Sequence, residues 1–116
     1  CADGCSGLQG MDGMNGKLVR DKIPSIMEAN GQQADIRILG EAEYMRALQE
    51  KLKEEVREYL EDRTLEELAD ILEVVYALAA AEGYTKEDLH QACQQKREKR
   101  GGFAERIYLA GTKEKA

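Results

Sequence analysis

The chain has 116 residues, of which 34% are charged and 5% aromatic, with one Pro, no Trp and a formal net charge of -6. That length bounds it to one domain, and the composition favours exposed amphipathic helices over a sandwich or barrel. The acidic balance argues against a general nucleic-acid polymer binder; with no apolar run near ~18 residues and no charged-then-apolar leader, no membrane association is expected and a cytoplasmic protein is.

The opening, "CADGCSGLQGMDGMNG", is Gly-rich, polar and without periodicity. Residues 1–14 are read as a disordered tail or a cloning remnant, with Met11 or Met14 as a natural start. Cys1 and Cys5 have no further Cys or His nearby to complete a metal site, and Cys93 fits a small, semi-buried helix position. The organised domain is placed at 15–116. In it "KLVRDKIPSIMEANG" predicts an extended entry and then a helix that Pro24 starts near its first turn and Gly31 ends. "ADIRIL" alternates as a short strand would, and Gly40 breaks it.

From Glu41 to about Glu61 the apolar positions Tyr44, Met45, Leu48, Leu52, Val56 and Tyr59 recur at three and four, which predicts a helix of roughly 20 residues and ~30 Å. Asp62 and Arg63 fit a tight connection. Thr64 followed by Glu67 matches a capping box opening a second long helix that runs to about Glu82 and stops at Gly83. So short a connection requires the two helices to pack antiparallel. Thr85 with Asp88 repeats the capping signature for a third helix, "KEDLHQACQQKREKR", ended by Gly101 and Gly102; Arg106 to Leu109 beyond it could pair as a strand with "IRIL". The expected fold is all-α, an antiparallel helical bundle with short strands near the termini. The run "ILEVVYALAAA" is apolar or small on nearly every side except at Glu73, more than a lone hairpin can bury, so oligomerisation is expected to complete the bundle as a homodimer or a dimer of dimers.

Acidic residues adjoin these apolar stripes. On a helical wheel at roughly 100° per residue, Leu48, Val56 and Tyr59 lie within about 40° of Leu52, with Glu55 at about 60° and Glu58 about 60° further on. Glu54 and Glu61 point away to solvent. On the second helix Glu67 and Asp70 lie about 100° and 160° from Leu68, on the side of Ile71, Val74 and Leu78. If the helices pack through these stripes, Glu55 and Glu58 face Glu67 and Asp70 across the hairpin. Such a cluster repels itself unless a cation balances it, and an oxygen-only donor set without His or Cys suits Mg²⁺, with Mn²⁺ as a substitute. The competing reading makes these acids ordinary solvated charges paired with Lys51, Lys53, Arg57 and Arg63.

Glu54-Glu55-x-x-Glu58 followed by Glu67-x-x-Asp70 resembles the E-E-x-x-E then E-x-x-D signature of MazG-like all-alpha nucleoside triphosphate pyrophosphohydrolases, a superfamily that includes phosphoribosyl-ATP pyrophosphohydrolases and dimeric dUTPases. "KLVRDKIP" and "KREKRGGFAERI" resemble a small single-domain branch regarded as house-cleaning pyrophosphatases, and the resemblance covers about residues 15–110. It implies Mg²⁺-dependent hydrolysis of a nucleotide between its alpha and beta phosphates to a nucleoside monophosphate and pyrophosphate. It further implies Glu55, Glu58, Glu67 and Asp70 as metal ligands, with Glu54 assisting. Glu54 or Glu58 is the choice for orienting the attacking water. The gap at residues 59–66 is shorter than in many MazG members, which bears on substrate choice more than on metal binding.

Lys96, Arg97 and Arg100 cluster at the end of the third helix and are followed by Gly101-Gly102-Phe103. They would either complement the helix dipole or grip phosphate, with Phe103 offering a face to a base. Lys17, Arg20 and Lys22 form a second basic group that could reach the same nucleotide. His90 reads as a surface helix residue. Two alternatives stand beside nucleotide pyrophosphohydrolysis: phosphoribosyl-ATP hydrolysis, and a non-catalytic oligomeric nucleotide sensor or scaffold that retains a metal site.

Overall fold

The computed structural model describes residues 16–114, so the expected tail at 1–14, with Cys1 and Cys5, lies outside the described residues. The described chain forms α1 (Ile23–Ala29), α2 (Glu41–Asp62), α3 (Leu65–Ala81) and α4 (Lys86–Arg100). Among these residues no helix is long and apolar enough to cross a membrane.

The hairpin of α2 and α3 follows from local chemistry at its bend. Arg63 takes a left-handed conformation (φ 53°) and its N–H donates to the Tyr59 carbonyl at 2.7 Å, which closes α2. Thr64 then returns to an extended conformation, and its hydroxyl accepts the Glu67 N–H at 3.2 Å to open α3. Only two residues separate the helices, so they fold back on one another. Glu55 lies seven residues before the end of α2 and Asp70 five after the start of α3, so their meeting in one group fixes the hairpin as antiparallel. Thr64→Ala is expected to destabilise the hairpin by about 1 kcal/mol through loss of the cap, read as a lower urea midpoint at an unchanged slope.

A second cap, at Thr85, is complete: its N–H donates to the Asp88 carboxylate at 2.9 Å and its hydroxyl accepts the Asp88 N–H at 3.0 Å. At Thr64 only the first half of the expected box is part of the cap, because the Glu67 carboxylate goes into the acidic cluster between the helices.

The core is narrow. Ile23 of α1, Leu48 of α2 and Val74 of α3 are the buried apolar side chains among the described residues, and the other buried side chains are acids. α3 presents two apolar faces. Glu67, Asp70, Ile71, Val74 and Leu78 share one side by helical spacing, and three of these are buried against α2. Leu65, Leu68 and Leu72 recur at three and four on the other side and are exposed, as is Leu60 on α2. The all-round apolar character of "ILEVVYALAAA" therefore resolves into one covered face and one uncovered face.

α4 buries none of its residues. It meets α3 near its own start, where Tyr76 Oη and His90 Nε2 share a hydrogen bond of 3.1 Å and the Lys86 ammonium sits 4.7 Å from the Tyr76 ring centroid. His90 is thus a surface residue, as expected, with a specific partner. Cys93 is exposed, where a semi-buried place was expected; its neighbours in this part of α4 are exposed as well.

The two expected strands do not form among the described residues. Ile36 and Ile38 keep their alternation but stand exposed, with no neighbouring strand to supply a ladder. At the other segment Arg106 is left-handed (φ 58°) and donates to the Phe103 carbonyl at 3.2 Å, so a turn occupies the position where the strand would begin.

Candidate functional site

Three of the most deeply buried side chains are carboxylates: Glu55 is 2% exposed, Glu67 0% and Asp70 7%. They come together because the bend sets α2 and α3 in antiparallel register and the helical period puts each acid on the facing edge. Two overlapping groups result, Glu54 with Glu55 and Glu58, and Glu55 with Glu67 and Asp70. Within each group the carboxylate oxygens lie within 4.8 Å of one another, and Glu55 belongs to both.

Basic side chains surround the cluster. Lys51, one turn before Glu55 on α2, sits 3.1 Å from the Glu55 carboxylate and 3.7 Å from that of Glu54. Lys17 is ion-paired with Glu54, and Arg20 donates to Asp70 at 2.6 Å. The competing reading is therefore right about Lys51, which its spacing of three and four to these acids signals. It fails for Lys53, which pairs with Glu50 on the exposed side. Glu54 was expected to point to solvent. It is drawn in by Lys17 and joins the cluster, a contact across 37 positions that no wheel contains.

These neighbours set the protonation energetics. Burial pushes the Glu55 carboxyl above its ordinary value; the Lys51 hydrogen bond and charge oppose this, and Glu58 and Glu54 add to it. Glu58 is raised by burial and then by the charges of Glu54 and Glu67. Glu54 also feels burial, but the Lys17 hydrogen bond and the charges of Lys51 and Lys17 outweigh it and hold its carboxyl below the ordinary value.

For Glu55 and Glu58 the folded protein binds protons more tightly than the unfolded chain, so their contribution to stability is full below the ordinary value of 4.5 and is lost as pH rises through the folded values. Glu54 acts in the opposite sense, its contribution present above 4.5 and lost as pH falls through its lowered value. Metal-free protein is accordingly expected to lose stability as pH rises from about 4.5 toward neutrality. Urea midpoints across that range should show a shallower decline in Glu55→Gln.

A hard divalent cation fits this donor set. Cis and trans oxygens around an octahedral Mg²⁺ are about 2.9 and 4.1 Å apart, so oxygens gathered within 4.8 Å need only small side-chain adjustment. Glu55 Oε1 is buried and accepts no hydrogen bond among the described residues, a costly state for a carboxylate oxygen that a coordinated cation would relieve. Glu55, Glu67 and Asp70 form one group that could hold an ion and Glu54, Glu55 and Glu58 the other, so the four expected ligands are divided between two groups that share Glu55.

The other basic residues lie elsewhere. Lys22 is exposed at the start of α1. Lys96, Arg97 and Arg100 are exposed on the outer half of α4, and Phe103 beyond it is 98% exposed. Among the described residues no ion pair joins these to the acids. The structure thus brings Lys17 and Arg20 of the second basic group to the cluster and leaves Lys96, Arg97 and Arg100 apart from it.

No family model matches the chain, and no solved structure matches it. An uncharacterized protein of Mycolicibacterium smegmatis is 50% identical over 42 residues, which make up 36% of this chain and 43% of that relative. The chain thus matches less than half the length of this curated relative.

Proposed function

We propose that the protein is a Mg²⁺-dependent nucleotide pyrophosphohydrolase that cleaves an NTP or dNTP between its alpha and beta phosphates, releasing a nucleoside monophosphate and pyrophosphate. The observation that carries this reading is the burial of Glu55, Glu67 and Asp70 in one group across the α2–α3 hairpin. Surface acids do not need such an arrangement, and stability alone does not favour it. The resemblance of Glu54-Glu55-x-x-Glu58 and Glu67-x-x-Asp70 to the MazG-like signature supplies the reaction type.

When bound, Mg²⁺ (or Mn²⁺) supplies neutralisation of phosphate charge and a lowered pKa for a water in its shell. Glu55, Glu58, Glu67 and Asp70 act as ligands that fix where that charge sits. Glu54 or Glu58, at the α2 edge of the group, orients the attacking water. Lys17, Arg20, Lys22, Lys96, Arg97 and Arg100 offer cationic donors to phosphate oxygens, and Phe103 a ring for a base to stack on.

The exposed Leu65, Leu68 and Leu72 face supports a homodimer or dimer of dimers, since a second copy would cover it. Such an assembly could also bring α4 of one copy to the acids of another. House-cleaning of non-standard nucleotides in the cytoplasm is the role we infer, and phosphoribosyl-ATP is the alternative substrate. Pyrophosphate release from a panel of standard and modified nucleotides with Mg²⁺ tests the reading. Absence of release from every one would favour a non-catalytic sensor or scaffold.

A further inference from the structure

The acidic cluster is held by two kinds of cation that differ in how they are mounted. Lys51 is built into the middle of α2, and its side chain is 12% exposed. Lys17 and Arg20 belong to residues 16–20, which form neither helix nor strand. The nearest buried anchor downstream is Ile23, at the start of α1. Lys17 reaches Glu54, in the first group of acids, and Arg20 reaches Asp70, in the second. One short irregular segment therefore places one positive charge on each of the two overlapping groups.

Those contacts and a divalent ion compete for the same carboxylates. An ammonium or guanidinium and a dication draw on the same carboxylate oxygens, so each positive charge added to the group of acids weakens the hold on the others. Lys51 has its backbone fixed in α2, so its ammonium moves only by a change of rotamer. Lys17 and Arg20 can leave by rotation of a few backbone bonds.

Resting on the reading of the cluster as a divalent-cation centre, we propose that Lys17–Arg20 is an exchangeable cationic strap. Lys17 and Arg20 neutralise Glu54 and Asp70, give way when a divalent ion binds, and are then available to phosphate oxygens, while Lys51 stays in place. Metal binding and ordering of the strap on the hairpin are then mutually opposed.

The test uses Mn²⁺ alone, with no nucleotide, and two readouts on the full chain. In the wild type, trypsin cleavage after Lys17 and Arg20, identified by mass and normalised to cleavage after the exposed Lys113, is expected to accelerate severalfold when Mn²⁺ is added. By titration calorimetry, Lys17→Met and Arg20→Met are each expected to tighten Mn²⁺ binding by about two- to fivefold, the scale of one ion pair removed from competition. Lys17→Met serves alone should the other variant fold poorly. Mn²⁺ binding to the wild type with strap cleavage unchanged or slowed would overturn the strap while leaving the metal centre intact, as would weaker or equal Mn²⁺ binding by the variants. No Mn²⁺ binding by the wild type would overturn the metal centre and the strap together.

Discussion

Mg²⁺ at a hundred times its dissociation constant is expected to raise the midpoint of thermal unfolding by roughly 10 to 20 °C. The figure follows from linkage: a ligand that binds only the folded state at that excess adds ~2.7 kcal/mol, and each kcal/mol moves the midpoint of a domain of this size by about 4–8 °C. The size of the effect reflects how the hairpin is built. Its buried apolar residues are few, and Glu55, Glu67 and Asp70 occupy positions that a larger core would give to Leu or Val. In Glu55→Gln the two effects should part. Burial already holds the Glu55 carboxyl above its ordinary value, so removing its charge should leave the metal-free midpoint at neutral pH equal to or above that of the wild type. The Mg²⁺-dependent rise should largely vanish. Differential scanning fluorimetry with and without chelator reads both, and a wild-type midpoint indifferent to Mg²⁺ would count against the metal centre.

Glu55→Gln and Asp70→Asn are each expected to lower the rate of pyrophosphate release by at least about 100-fold, since even partners that only orient a metal's ligands are worth about 10- to 100-fold. The isosteric amides keep the packing and remove the charge, so a folded but inactive protein is the signature of a ligand role. Glu55 should be the more sensitive of the two because it belongs to both groups of acids. Phe103→Ala should act differently, raising KM while changing kcat little if the ring only stacks on a base. Initial rates at several Mg²⁺ concentrations separate these effects. Undiminished turnover in both carboxamide variants would remove the site assignment.

Much of this architecture is written locally. The three- and four-residue recurrence of Met45, Leu48, Leu52 and Val56, and the Thr64 and Thr85 caps, are short-range signals, and α2, α3 and α4 fall where those signals put them. The convergence of Glu55, Glu67 and Asp70 needed one further step, that a two-residue bend forces antiparallel packing, and it too was legible. Contacts between distant positions were not. Lys17 with Glu54 spans 37 positions and Arg20 with Asp70 spans 50, and no periodicity encodes either pair. The same ignorance of partners explains the strands: "ADIRIL" has the alternation of a strand, but a strand exists only through a neighbour, and Arg106 turns the other candidate away. For α4 the sequence carried a negative signal, because Leu89, Ala92 and Cys93 are too few to make an apolar stripe, and its outer half is exposed throughout.

The central claim is the bond that is cut. Incubating the wild-type protein with Mg²⁺ and a nucleoside triphosphate it turns over, and resolving the products by phosphorus NMR, identifies that bond directly. Nucleoside monophosphate and pyrophosphate in equal amounts, abolished by chelation, is the predicted result; nucleoside diphosphate with inorganic phosphate, or no product from any nucleotide tried, would contradict it.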